Sequence, residues 1–397
     1  MFHSPSTRLA QPALLPGFDR PSGLPVFDTI AAALNAYRGD DALHVLYPAR
    51  IASAAQQFLT AFPGETLYAV KSNPHPAVLK ILWASGVRRF DVASIREMDL
   101  VATACPDAVL YLMNPVKSRA TIRHAYRLGV RDLAFDSKFE LQKIIDETNQ
   151  ADDLNLHLRV QVSQGDAAMP LAGKFGAGFD DAVTLLQTAR PLAAKLGICF
   201  HVGSQCMEPD AFANALHHMR ALVDTAGIAI DLIDCGGGFP VAYPGMTSPP
   251  LQTYFDAISD ALSETGFGAL DILAEPGRAI CAEGGSTLAR VDLRRGNDLY
   301  LNDGAYGSLY DAANFAWKYP VKRHRLTPAS SDGPAGSFRF FGPTCDSTDM
   351  MAGPFELPDD ICEGDWIEIC HLGAYGQAMA TGFNGFQSDA TIAVLTA

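Results

Sequence analysis

The sequence predicts an α/β protein, a (β/α)8 TIM barrel followed by a second, all-β domain. Three observations carry that expectation. Between residues 41 and 277 short β-rich runs alternate with longer helical patterns, the rhythm of right-handed βαβ units in a parallel sheet. Beyond Arg278 this rhythm gives way to short strand-like runs broken by Gly, Pro and Asp. The 397 residues, 48% of them hydrophobic and including 22 Phe and 12 Tyr, supply apolar surface for a large core and no signature of disorder.

Taken in order, the barrel runs are TLYAVK ending at Lys71, RRFDVA around Asp91, VLYLM ending at Met113, DLAFD ending at Asp136, LNLHLRVQV around Arg159, GICFHVG ending at Gly203, DLIDCGG ending at Gly237 and DILAEP around Glu275. Seven helix-like stretches separate them, with Pro76 and Asp180 as start signals. That count and length fit a (β/α)8 barrel over residues 41–277. The β-domain is expected over 278–397, from the runs AICAEGG, STLARVDLRR, DLYLNDGA, PVKRHRL, SFRFFGP and DWIEICHLGAY, with the segment 1–40 contributing to it. TPASSDGPAGS, residues 327–337, reads as a surface loop.

Charge and cysteine usage narrow the function classes. With 30 Lys+Arg against 44 Asp+Glu the formal charge is −14, which repels phosphate backbones and anionic membrane surfaces, so neither nucleic acid nor membrane is an expected partner. The eight cysteines show no C-x-x-C pair and no zinc spacing, so no metal is expected and reduced thiols in a cytoplasm fit best. The N-terminus lacks the features of a secretory signal and reads as a Pro-rich leader over the first two dozen residues. No apolar run approaches the roughly 18 residues that would span a bilayer.

Active sites of such barrels lie at the C-terminal ends of the strands, and the polar residues there form a coherent set. Lys71 closes the first strand, Asp91 the second; Arg159 sits on the fifth and His201 on the sixth. Gly236, Gly237 and Gly238 follow the seventh, and Glu275 ends the eighth. A lysine ending an apolar strand has a depressed pKa when buried, which suits Schiff-base formation, although a rim lysine fits the same pattern. DCGGGFP exposes backbone N–H groups that could cradle a phosphate, and three glycines at a tight turn also suffice as a structural explanation. Glu275 and Arg278 could equally be a structural ion pair, and His201 a satisfied core histidine. Cys345 beside Asp346, in the polar loop GPTCDSTD, is a candidate proton donor.

Together, YAVKSNP, FDVAS, HVGS, DCGGGFP, EPGR, GPTCDS and GAYGQAMATGFNGF occur in the order and spacing of the fold-type III (alanine racemase-like) pyridoxal-phosphate decarboxylases, the ornithine, lysine, diaminopimelate and arginine group. The chain resembles that family from about residue 25 to 390. The resemblance implies pyridoxal 5'-phosphate as cofactor, a small-molecule amino-acid substrate, and a homodimer with active sites at the subunit interface. By it, Lys71 holds the cofactor covalently, His201 stacks on its ring and Glu275 bonds the pyridine nitrogen. Gly236, Gly237, Gly238, Ser204, Arg278 and Tyr375 match the phosphate-binding group. Arg159 matches a residue near the ring hydroxyl, while Asp91 and Glu97 match positions that orient the lysine and histidine.

Cys345 resembles the family's thiol that comes from the partner subunit and protonates Cα after carbon dioxide leaves. Asp346 resembles the carboxylate receiving the substrate's distal ammonium, and Tyr306 and Phe383 match substrate-pocket positions. Lys174 and Asp349 match a pair that bridges the dimer interface. C-D-S favours ornithine or lysine in polyamine biosynthesis, whereas diaminopimelate enzymes typically carry Glu after the Cys. One departure stands out: an ungapped reading puts Asn314 or Phe315 where ornithine enzymes place a second distal-amine aspartate, and only a short deletion would put Asp311 there. An alanine-type racemase generally uses arginine at the ring nitrogen, so Glu275 argues against it. A non-catalytic regulator that binds a partner protein would have lost its cofactor residues, and here Lys71, Glu275 and Cys345 are present.

Overall fold

A computed structural model describes residues 23–163, 173–315, 317–326 and 333–396. The Pro-rich leader up to residue 22 and residues 327–332 of the predicted loop lie outside them. Within the described residues the eight predicted runs form a closed parallel barrel. In order the strands are Glu65–Ala69, Arg89–Val92, Val109–Leu112, Asp132–Phe135, Asn155–Arg159, Lys195–Cys199, Leu232–Asp234 and Asp271–Ala274, the last pairing back onto the first. They are near-continuous apolar runs because parallel strands are covered on both faces. Leu67, Tyr111, Met113, Ala134, Cys199, Leu232 and Leu273 make one buried cluster of the barrel strands.

The helices between strands start where polar side chains satisfy their first N–H groups. Ser94, Ser118 and Ser137 accept from the backbone N–H of Glu97, Thr121 and Glu140. Pro76 occupies the first position of Pro76–Ala84, and Asp180 lies in the acidic first turn of Phe179–Ala189. Phe239, directly after the glycine run, stacks on Phe212 at 4.8 Å and meets Phe58 edge-on at 5.2 Å, which anchors the loop that positions the site.

The chain divides into two units, one comprising Ala54–Val241 and Thr247–Ala279, the other taking the residues up to Ser53, Ala242–Met246 and Ile280–Ala397. The second unit is built on a nine-stranded sheet. Its long strand Gly285–Arg295 pairs antiparallel with Leu43–Leu46, Trp366–Cys370 and Asp298–Leu301, shifting register between Val291 and Leu293. Phe27, Ile30, Leu34, Leu43, Val45, Leu288, Trp366, Ile392 and Val394 fill its core.

Several sequence expectations need correction. Leu43–Leu46 belongs to the sheet unit, not to a barrel segment starting at residue 41, because its edges pair with Gly285–Arg295 and Thr391–Val394. AICAEGG opens as a helical turn, Arg278–Cys281, rather than a strand. Residues 335–337 of the expected loop begin the strand Ala335–Phe341. The domain called all-β also carries the helices Ile30–Ala36 and Tyr310–Asn314. Met350–Pro358 and Thr391–Val394 are strands the sequence reading did not name.

Candidate active site

The barrel contributes a ring of polar groups at its strand ends. The first strand stops at Ala69 and Lys71 lies in a 3-10 turn, Val70–Ser72, fixed by the Asn73 N–H donating to Val70 O. That lifts Lys71 out of the sheet: its side chain is 48% exposed, not buried as a strand-end lysine would be, and Nζ sits 3.4 Å from Asp91 Oδ2. Asp91 itself is buried on the second strand. Glu97 Oε2 accepts from the Ala93 N–H at 2.7 Å, and burial, helped by Asp91, raises its carboxyl pKa against that bond.

The sixth strand ends at Cys199, so His201 stands two residues beyond it rather than on it. Its Nδ1 accepts from the Gly203 N–H at 3.0 Å, which assigns the remaining proton to Nε2. Burial first, then Arg159 and Lys71, push the His201 ring well below its ordinary pKa, so it is neutral. Glu275 follows the eighth strand and is buried; Oε1 has no hydrogen-bond partner. Burial, with Asp234 and Asp91 beside it, holds this carboxyl well above the usual carboxylate range.

Between the sixth and eighth strands lies the glycine run. Gly236 and Gly238 adopt φ of +67° and +110°, which an L side chain rarely takes. A Cβ on Gly236 would strike the Phe200 carbonyl, one on Gly238 the Gly203 carbonyl, and one on Gly237 would come within 2.6 Å of Glu275 O and 3.3 Å of His201 Nε2. The Cys206 N–H donates to Gly238 O and the Glu275 N–H to Gly236 O, stitching the loop to both neighbouring segments. Ser204 is half-buried beside this loop, and Arg278 is buried just past Glu275.

The sheet unit holds the remaining candidates. The Tyr306 hydroxyl donates to Asp346 Oδ2 at 2.7 Å, while the Thr348 N–H and hydroxyl both donate to Oδ1 at 2.9 Å. The Thr348 N–H first, then the Tyr306 and Thr348 hydroxyls, hold the Asp346 carboxyl below its ordinary pKa. Phe383 packs on Tyr306 with ring centroids 4.7 Å apart. Cys345 is exposed, and its backbone N–H donates to Asn384 Oδ1 at 3.1 Å. Tyr306, Phe383, Cys345 and Asp346 are thus brought together, with Asn384, Thr348 and Thr381 as members the sequence reading missed. Tyr375 lies in the same unit, in a left-handed conformation with φ of +56°.

Asp311 is buried inside the helix Tyr310–Asn314, and Phe315 next to that helix is exposed. Asp349 is buried and accepts from the Ala305 N–H at 2.7 Å, the Thr344 N–H at 3.1 Å and the Thr344 hydroxyl at 2.7 Å. Within the chain Lys174 lies over the Phe175 ring, 4.8 Å from its centroid.

The barrel site matches an aldehyde cofactor with a phosphate and a basic ring nitrogen. It offers an amine on an exposed turn, a glycine cradle that tolerates no Cβ, and a buried carboxylate oxygen waiting for a donor. The chain belongs to the pyridoxal-dependent decarboxylases: it matches their pyridoxal binding domain over residues 48–282 and their C-terminal sheet domain over 202–373. Pyridoxal phosphate is the cofactor. Ornithine decarboxylase of Schizosaccharomyces pombe is 34% identical over 348 residues, spanning 82% of this chain and 76% of that protein. Antizyme inhibitor 2 of Xenopus laevis is 32% identical over 365 residues, spanning 84% of this chain and 76% of that protein. Lysine/ornithine decarboxylase from Vibrio vulnificus, complexed with cadaverine, superposes with a TM-score of 0.78 at 31% identity, covering 92% of this chain and 97% of that one. Among the described residues no helix is long and apolar enough to cross a membrane.

Proposed function

We propose that the protein removes the α-carboxylate of a basic amino acid as carbon dioxide, acting on ornithine first and lysine next, to give the diamines putrescine and cadaverine for polyamine biosynthesis in the cytoplasm. The observation that carries this reading is Asp346, an ionised carboxylate oriented by Tyr306 and Thr348 beside an exposed thiol, which suits a distal ammonium. The protein works as a homodimer in which Cys345 and Asp346 of one copy complete the barrel site of the other.

Bound pyridoxal phosphate supplies an electron sink for the pair left when the Cα–carboxylate bond breaks. Lys71 Nζ would hold it covalently, with Asp91 orienting the amine. Gly236, Gly237, Gly238, Ser204, Arg278 and Tyr375 would hold its phosphate, and Arg159 would lie near the ring hydroxyl. The neutral His201 ring presents an apolar face for stacking and adds no charge. Glu275, uncharged when isolated, ionises against a cationic ring N–H because an opposite charge offsets the cost of burial. Cys345 would deliver the proton to Cα.

A partner-binding regulator is the reading of another class, as the name of one relative suggests. Lys71, Glu275 and Cys345 weigh against it, since a protein released from catalysis has no need of all three. The test is carbon dioxide release from L- and D-ornithine, lysine, diaminopimelate, arginine and diaminobutyrate. Release from L-ornithine or L-lysine is expected; release only from diaminopimelate or arginine would contradict the substrate, and none from any would contradict the activity.

A further inference from the structure

Asp234 is the one carboxylate of the barrel site that the reading above leaves without a role. It closes the seventh strand and pairs in register with Leu273, and Glu275 lies two residues beyond Leu273. Side chains two apart on a strand share a face, so Asp234 lies on the face of Leu232, and Leu232 and Leu273 belong to one buried cluster. Asp234 is completely buried. Its Oδ1 accepts from the Gly236 N–H at 2.8 Å, the first glycine of the cradle, while Oδ2 and Glu275 Oε1 are both buried without a partner. The two carboxyls adjoin, and a side-chain hydrogen bond from Glu275 favours the ionised form of Asp234 in the cofactor-free chain.

We propose that Asp234 is a positioning residue for Glu275: anchored through Oδ1 to the Gly236 N–H, it carries the pair's single proton and donates it to Glu275, leaving Glu275 as the carboxylate that faces the cofactor's ring nitrogen. One proton is what the surroundings support. Two adjoining buried carboxylates do not both ionise. Burial raises both groups above the ordinary range, and Asp91 from the second strand adds to this. In the opposite direction the Gly236 N–H first, then His157 and the bond from Glu275, act on Asp234, and Lys71 and then Arg159 act on Glu275, without removing the need for the proton. The His157 ring, buried on the fifth strand, is itself engaged by Asp132 at 2.9 Å. With the cationic ring N–H at Glu275, the proton belongs on Asp234, and the same side chain then fixes both the phosphate cradle and the ring-nitrogen partner.

The proposal rests on reading Glu275 as the ring-nitrogen carboxylate, and the test separates the two. Asp234→Asn, Asp234→Ala and Glu275→Gln are each prepared free of cofactor, and the dissociation constant for pyridoxal phosphate and the absorption band of the bound cofactor are measured, with thermal melting as a check of folding. Asn imitates a protonated Asp: its carbonyl accepts from Gly236 and its amide donates to Glu275. Asp234→Asn should therefore bind within about threefold of wild type with the same band, and Asp234→Ala at least about tenfold more weakly. A folded Asp234→Asn protein with weakened binding and a shifted band overturns the proposal, whether or not the Ala variant folds. Unchanged binding in Asp234→Ala beside impaired Glu275→Gln overturns the role of Asp234 alone. Unchanged binding and band in Glu275→Gln overturn the reading of Glu275, and the proposal with it.

Discussion

Asp346 owes its ionised state to three donors from two neighbours, the Tyr306 hydroxyl on Oδ2 and both donors of Thr348 on Oδ1, and Oδ2 is the oxygen that keeps a lone pair for a further cation. The proposed role toward a distal ammonium rests on that geometry. Asp346→Ala should lower kcat/KM on ornithine by roughly one to two decades while leaving the absorption of the bound cofactor unchanged. Unaltered kinetics would mean that the distal ammonium is held elsewhere. Lys71 shows how one motif can leave two placements open. Its position in YAVK fitted both a buried strand end and a rim lysine, and the 3-10 turn after Ala69 gives it the exposed placement beside Asp91. Asp234 was not singled out in the sequence: within DLIDC it looks like one more strand residue, and its register with Leu273, two residues before Glu275, emerges only in the closed barrel.

At the scale of elements, the barrel strands were legible because they are short apolar runs, most of them closed by a polar residue or a glycine. The sheet unit was less so. Met350–Pro358 contains Gly353 and Pro354, which break the alternation that marks a strand, and Thr391–Val394 is short and gains its identity only by pairing with Leu43–Leu46. The helix Tyr310–Asn314 carries no apolar period long enough to announce itself, so the burial of Asp311 could not be foreseen. One buried side chain ties these strands together. Glu368, on Trp366–Cys370, accepts from Ser286 Oγ and His324 Nε2 at 3.0 Å each and from the Tyr47 hydroxyl, linking it to three segments. Burial opposes its ionisation, but His324, Tyr47 and Ser286 outweigh burial and bring its pKa down to about 2. A depressed carboxyl stabilises the fold fully above the unfolded value of about 4.3, and that contribution, about 3 kcal/mol, disappears as pH falls toward the folded value. Melting temperature followed from neutral to acid pH should therefore drop less steeply below about pH 4.5 in Glu368→Gln, from a lower starting point, than in wild type. Parallel curves would show that Glu368 does not set the acid limb.

Across the whole molecule, the candidate residues fall in both units: Lys71, His201, Glu275 and the glycine cradle in the barrel unit, Cys345 and Asp346 in the sheet unit. All eight cysteines are free thiols, six of them buried. In the proposed homodimer a working site needs the barrel of one copy and the Cys345 loop of another. Mixing Lys71→Ala and Cys345→Ala proteins tests it most directly, because in a two-fold dimer the mixed species has both lesions in one site and leaves the other intact. Each parent alone should be nearly inactive in carbon dioxide release from ornithine. After brief denaturation and refolding of an equal mixture, about half the dimers are mixed with one working site of two, so activity should recover to roughly a quarter of wild type. A mixture that stays as inactive as its parents, although dimers demonstrably re-form, would place both residues in one subunit's site and contradict the account.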